Sequence, residues 1–344
     1  MDLKTPWVLV CLGMKIRYYL YKSGRLSRQD DSLVLLCSNK DKIYIPIKQV
    51  DIINVFSQID FNKNTIGILN EYGITVNFFS YYGNYIGSYN AYRPKQGDIL
   101  LKQVDHFQSM DKRLVIAKEI IYGSLTNSLS VLKYYHKKHQ INEMQIIELK
   151  KIIEEIDNGK NDSIEALLII EAKGKQIYYD CFDNIIRNRK FNFTKRSKNP
   201  PENEINAMMS FGYSILYSII ANIIHRSSLN ISFPFIHSNA RRKEGLQYDI
   251  ADIFKPVIVD RTIFRMVNKM QINESCFSTF KKGTYLNKEG AKLFIEELEF
   301  FLKSTIEVGD NRKMSYQQLL SKEIHKLSNH IKGKQKYKAF IMRW

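Results

Sequence analysis

The hydrophobic pattern of this chain changes its period once, near Arg93-Pro94-Lys95-Gln96-Gly97, and no other feature constrains the fold as much. Before that point, short β-branched and aromatic runs recur at roughly ten-residue intervals, with Gly, Asn and Lys between them, which is the signature of a small all-β unit. The runs are Tyr18–Tyr21, Leu33–Leu36, Ile43–Ile47, Ile52–Phe56, Thr65–Leu69 and Ile74–Phe79. Turn signals separate them at Lys22-Ser23-Gly24-Arg25, Asn39–Lys42, Asn62-Lys63-Asn64, Glu71-Tyr72-Gly73 and Tyr81–Tyr85. The apolar run Trp7–Met14 is too short to span a bilayer and reads as a further strand. Aromatic side chains dominate this region, and packing is their ordinary use in a sheet.

Beyond Gly97 the apolar residues fall three and four apart, the helical period. Asp98 opens a helix through Phe107, and a second covers Lys112–Leu132. A third covers Asn142–Asp157 and is closed by Asn158-Gly159-Lys160; a fourth starts at Ser163 and runs towards Phe182. A length of 344 residues also fits about two domains. The expected class is α+β: a small β-sheet or sandwich domain over residues 1–96, then a larger all-α domain over 97–344 with a basic tail.

Charge narrows the partners. Fifty-two Lys and Arg against 35 Asp and Glu leave +17, an excess that points to a polyanion. Cys11, Cys37, Cys181 and Cys276 lie far apart with no CxxC pair, which excludes a cysteine-built zinc site and suits a reducing cytoplasm. No basic amphipathic helix with Trp or Phe on its far face suggests a membrane surface, and the apolar run Ala166–Ile170 is cut short by Glu171.

Two basic stretches contain no acid. Asn184–Pro201 carries Arg187, Arg189, Lys190, Lys195, Arg196 and Lys198 with Phe191 and Phe193 among them; Ile324–Trp344 carries Lys326, Lys332, Lys334, Lys336, Lys338 and Arg343. Such charges neutralise phosphates and interleaved rings stack on unpaired bases, the alternative being a solvated loop and a disordered tail. Lys175, Arg241 and Arg242 are further candidates for DNA contact.

Acids also interrupt apolar helix. Glu171 follows Leu167-Leu168-Ile169-Ile170, where a carboxylate is costly unless paired or bound to metal. Asp249 and Asp252, at i and i+3, share a helix face, and His237 ends the run Phe233-Pro234-Phe235-Ile236. Singly, each reads as a cap or ion pair; two carboxylates with an imidazole are a donor set able to make an open site for Mn²⁺ or Mg²⁺, but spacing alone does not bring them together.

Three blocks resemble the CRISPR-associated endonuclease Cas1, the integrase of spacer acquisition, in the family's order. They are Glu171–Tyr179, Asn199–Tyr213, and Phe235-Ile236-His237 with Tyr248–Pro256. The turns Ser23-Gly24-Arg25-Leu26 and Tyr81-Tyr82-Gly83 resemble the family's sheet domain, and the likeness is greatest to the branch of type I-B systems. Lys175 and Lys255 stand where the family often has Arg, Gly245-Leu246 where it has Ser-Leu, and Asp252 where many relatives have Glu. None of these changes removes a type of ligand.

The resemblance implies Glu171, His237 and Asp252 as ligands of Mn²⁺ or Mg²⁺, Asp249 beside them and Lys255 near a DNA phosphate. It implies phosphoryl transfer on double-stranded DNA with single-stranded ends, a homodimer formed through the β domain, a Cas2 dimer as partner and, in type I-B systems, a Cas4 nuclease. The rival reading is a non-catalytic nucleic-acid-binding scaffold of the same fold; the presence of every ligand type favours the enzyme.

Overall fold

The structure is a computed structural model that describes residues 16–158, 162–237, 244–308 and 312–343. Trp7–Met14, Cys11, the Gly159-Lys160 cap signal, Arg241 and Arg242 therefore lie outside the described residues. The chain divides into two compact units, residues 1–94 and 95–344.

In the first unit, β1 (Ile16–Leu20), β5 (Val50–Val55), β7 (Thr75–Phe79) and β8 (Tyr85–Tyr89) form one sheet in the order β1-β5-β7-β8, parallel except for β8. The second sheet runs β4-β3-β2-β6, from β2 (Gly24–Gln29), β3 (Ser32–Cys37), β4 (Lys42–Pro46) and β6 (Ile59–Phe61). Strand β1 is buried along its whole length, as a parallel strand covered on both faces must be, whereas β4 alternates. Tyr18, Leu26, Leu35, Ile45, Ile53 and Val76 belong to one core that both sheets share, the expected sandwich. Phe56 stacks between Tyr21 and Phe79 at 4.7 Å on each side, so these aromatics pack rather than face a ligand.

Thr65–Leu69 is not a strand. It lies in α1 (Lys63–Tyr72), where the Asn62 side chain accepts the Thr65 N–H at 3.1 Å and Gly73 closes the helix at φ 65°. Ile68 and Leu69 supply the buried face. The physical reason is topological: β5 and β7 are parallel, so the chain must cross over between them, and β6 with α1 is that crossover.

The second unit is mainly helical: α2 (Gly97–Gln108), α3 (Met110–His136), α4 (Glu143–Asn158), α5 (Ile164–Asp180), α6 (Phe182–Ile185), α7 (Glu204–Arg226), α8 (Leu246–Phe254), α9 (Arg261–Asn268), α10 (Lys288–Lys303) and α11 (Tyr316–Ile331). Two short antiparallel ladders accompany the helices, β9 (Phe277–Phe280) with β10 (Gly283–Leu286) and β11 (Thr305–Glu307) with β12 (Lys313–Ser315). Helix α7 is long and apolar enough to cross a membrane by length and composition, but it packs against α8, α10 and α11 as a core helix.

The basic tail is not a disordered end but a packed segment, along which Lys334, Lys336, Lys338 and Arg343 stay exposed. Tyr337, Phe340 and Met342 are buried, and the Phe340 ring stacks on Phe254 at 5.4 Å. Asn127 of α3 donates to the Phe340 carbonyl and accepts from the Met342 N–H, at 3.0 and 2.7 Å. Lys326 and Lys338 are held by Glu323 and Glu119 at 2.6 and 2.5 Å. Three apolar anchors among the lysines outweigh the charge of the segment.

Candidate active site

The site is built on three helices that approach closely. Ser163 caps α5 by accepting the Ala166 N–H at 3.1 Å, which sets the phase of the helix and places Glu171 and Lys175 one turn apart on one face. Gly174 between them allows α5 to lie against α3: a Cβ there would meet Leu125 Cδ2 at 2.7 Å. On α8, Asp249 and Asp252 are both buried.

The two aspartates are used differently. Asp249 Oδ2 accepts the backbone N–H groups of Phe235 and Ile236 at 2.6 and 3.1 Å, while Oδ1 accepts from the His237 N–H at 3.1 Å and from Nδ1 at 2.7 Å. One carboxylate thus folds the segment before His237 around itself and fixes the imidazole, leaving Nε2 to face Asp252 Oδ2 at 3.5 Å. Asp252 Oδ1 receives a short ion pair from Lys255, whose ammonium also rests on the rings of Tyr217 and Tyr213, 4.9 and 5.1 Å from their centroids.

Charge couples these groups. Burial works to raise the Asp252 carboxyl, but Lys255, His237 and Lys175 outweigh it and hold it below the usual carboxylate range. Burial, and after it the Asp252 charge, push Glu171 above that range, against the pull of Lys175, His237 and Lys255. Burial would lower the His237 imidazole, yet the Asp249 hydrogen bond and the Asp252, Asp249 and Glu171 charges raise it. Glu171 has no hydrogen bond or ion pair among the described residues.

No three His, Cys, Asp or Glu side chains among the described residues form a ready-made metal cage. The donor set still fits a hard divalent ion. Glu171 is an unpaired carboxylate, Asp252 is kept ionised by its surroundings, and a carboxylate on Nδ1 leaves His237 presenting Nε2, the arrangement that orients metal-binding imidazoles.

Comparison with known proteins bears on the family and the fold. The family profile described as CRISPR associated protein Cas1 matches residues 18–300. The chain belongs to the Cas1 family. It is 37% identical over 344 residues to the CRISPR-associated endonuclease Cas1 of Fusobacterium nucleatum subsp. nucleatum, a match that covers 98% of this chain and 100% of the relative. A solved Cas1 protein from Thermotoga maritima superposes with a TM-score of 0.84 at 31% identity, covering 94% of this chain and 99% of that one. A casposase bound to integration product shares the fold, with a TM-score of 0.83 at 18% identity over 96% of both chains. Membership in this family of CRISPR-associated nucleases and the two-part α+β architecture are thereby established.

In this Cas1 family member the basic loop differs from its sequence reading. Phe191 and Phe193 are buried: Phe191 packs on Phe277 at 5.9 Å and Phe193 on Phe182 at 4.9 Å. They anchor the loop and present no ring to a base. Arg187, Arg189, Lys190, Lys195 and Lys198 are exposed, with Arg189 3.6 Å from Asp183 and Lys190 3.8 Å from Glu274. Arg196 is instead half-buried, bonded to Asn206 Oδ1 at 2.9 Å and Ser210 Oγ at 3.0 Å, and lies over the Tyr213 ring at 5.6 Å. Lys175 is half-buried too, with Ser128 Oγ at 3.4 Å, and burial pulls its pKa down.

Sequence reasoning misses Asp260, Tyr213 and Tyr217 of this Cas1 chain. Asp260 ends Val257-Ile258-Val259, an acid closing an apolar run just as Glu171 does, and that signal could have found it. Tyr213 reads only as the end of the Asn199–Tyr213 block and Tyr217 gives no signal of its own; the position of Lys255 reveals their use.

Proposed function

We propose that this chain is a divalent-metal-dependent DNA endonuclease and integrase that joins short DNA fragments into a repeat array by phosphoryl transfer. The observation that carries the reading is the convergence of Glu171, His237 Nε2 and Asp252 from three parts of the second unit, with Lys255 on the same carboxylate. Those three side chains would hold Mn²⁺ or Mg²⁺. Bound there, the ion would polarise the scissile phosphate and lower the pKa of the attacking hydroxyl, a water in cleavage and a fragment 3′-hydroxyl in integration.

The chain's own residues supply position and charge. Asp249 holds His237 in the tautomer that leaves Nε2 free to accept. Lys255, seated on two tyrosine rings, is placed to neutralise a non-bridging phosphate oxygen, and Lys175 adds a second ammonium one turn from Glu171. Arg187, Arg189, Lys190, Lys195 and Lys198 provide exposed charge for the duplex.

A homodimer through the first unit is part of the proposal, since Tyr81, Ile86 and Tyr92 are 78%, 69% and 82% exposed there. A Cas2 dimer, a Cas4 nuclease and a cytoplasmic location complete it; the buried free thiols of Cys37, Cys181 and Cys276 suit a reducing compartment. Strand transfer into a repeat-containing plasmid, with and without Cas2 and Mn²⁺, tests the reading. Product that depends on the metal supports it, and binding to DNA without transfer or cleavage under every condition returns the scaffold alternative.

A further inference from the structure

The carboxylate of Asp260 takes no part in the steps above, yet it is 1% exposed and lies where the helices of the site meet. It closes the widened, π-helical turn Pro256–Asp260 between α8 and α9. Such turns concentrate at functional sites. Oδ2 accepts the Tyr178 hydroxyl from α5 at 3.1 Å, and Oδ1 accepts the Tyr213 hydroxyl from α7 at 2.7 Å. Gly212 makes the second contact possible by bringing α7 close: a Cβ there would meet Val259 Cγ1 at 2.6 Å.

Each element tied to Asp260 carries part of the site. Helix α5 bears Glu171 and Lys175 on the turns before Tyr178, and α8 bears Asp252 and Lys255 on the turns before the π-helical segment. From α7 comes the Tyr213 ring, with the Lys255 ammonium 5.1 Å and the Arg196 guanidinium 5.6 Å from its centroid. Burial pushes Asp260 up to about 6, so an ionised acceptor at neutral pH is held there at the expense of stability. Packing alone would be better served by an apolar residue of similar volume.

We infer that Asp260 is a positioning residue for strand transfer: by holding the Tyr213 and Tyr178 hydroxyls it fixes the ring on which Lys255 rests and the register of α5. It thereby sets the spacing between Glu171 and the Asp252–Lys255 pair. The inference rests on the active-site reading proposed above. Tyr213→Phe keeps the ring and removes the hydroxyl's links to Asp260 and to Tyr179.

The test compares the full chain with Asp260→Asn, Tyr213→Phe, the double variant and Asp252→Asn. Strand transfer into a repeat-containing plasmid in Mn²⁺ and Cas2 gives kcat and KM, and thermal melting at neutral pH reports the fold. Either single variant should lower kcat roughly 10–100-fold, as removing a supporting hydrogen bond does. KM for the fragment should stay within about twofold, because nothing that binds DNA has been removed. Asp260→Asn should melt no lower than the natural chain, and the double variant should be no slower than the slower single, since the Tyr213–Asp260 link is already broken in either single. An unchanged kcat in Asp260→Asn beside an inactive Asp252→Asn overturns this inference alone. Losses that multiply in the double variant, or that follow a lowered melting temperature, overturn it as well, being what independent packing defects produce. Strand transfer that survives Asp252→Asn overturns the active-site reading beneath it.

Discussion

Asp249→Asn should damage the fold by orphaning buried donors, whereas Asp252→Asn, its neighbour on one helix, should act through lost charge. Four donors converge on the Asp249 carboxylate, two on each oxygen, and the residue is 0% exposed. An asparagine turns one oxygen into an NH₂ group, which leaves two donors facing a donor. Each buried group so orphaned costs about 1–3 kcal/mol, hence about 2–6 kcal/mol in all. Asp252→Asn breaks a buried ion pair to Lys255, which costs about 3–5 kcal/mol, while it relieves the like charge on Glu171, which offsets part of that loss. Equilibrium urea unfolding of the full chain, followed by circular dichroism, measures both. Where Asp249→Asn still folds, metal affinity should drop about 10–100-fold, as expected for a group that orients a ligand. A stability for Asp249→Asn equal to that of the natural chain would refute the role of Asp249 as the acceptor that shapes the His237 segment.

Neutralising Arg187, Arg189 and Lys190 should flatten the plot of log DNA affinity against log salt by about 0.9 for each phosphate no longer neutralised, measured by fluorescence anisotropy; an unchanged slope assigns the loop to solvent. Phe191→Ala should leave that slope alone and destabilise the second unit by about 3–5 kcal/mol, the usual range for emptying a buried aromatic site; a base-stacking ring would show the opposite pattern. Asp260, facing Tyr178, Tyr213, Lys175 and Arg196, has its folded pKa raised from 3.8 to about 6. Its contribution to stability is therefore fully present below the unfolded pKa and is lost as pH rises through about 6. The loss amounts to about 3 kcal/mol. Urea unfolding from about pH 4 to pH 7 should show Asp260→Asn gaining on the natural chain as pH rises, and parallel curves would contradict the shift.

Local signals are legible where a residue's role is set by its sequence neighbours. Ser163 marks the start of α5, and the change of period near residue 93 marks where strands give way to helices. The shared core of two sheets follows from alternation in β4 and from the mainly apolar runs of β3 and β5. Thr65–Leu69 reads as a strand because its β-branched content outweighs a good cap pair, Asn62 and Gly73, and because strand direction is not encoded locally. Phe191 and Phe193 sit among cations, so composition suggests a ligand surface; their burial is decided by Phe277 and Phe182, residues distant or preceding in the chain. In the site, the spacing of Asp249 and Asp252 puts them on one face without saying which one meets His237 Nδ1. That distinction depends on the path of residues 235–237 around α8, a tertiary matter. Asp260 shows the limit from the other side. An acid closing an apolar run marks Glu171 and Asp260 alike, but only the fold shows which tyrosines Asp260 holds.

Glu171, His237 and Asp252 are proposed to form one metal site on which the DNA chemistry depends. Calorimetric titration of Mn²⁺ into the full chain and into Glu171→Ala, His237→Ala and Asp252→Asn tests it directly, with circular dichroism confirming that each variant is folded. Tight binding by the natural chain and its loss in all three folded variants is the predicted result. Normal Mn²⁺ binding by folded Asp252→Asn would contradict the ligand assignment, and normal binding by all three would contradict the site itself.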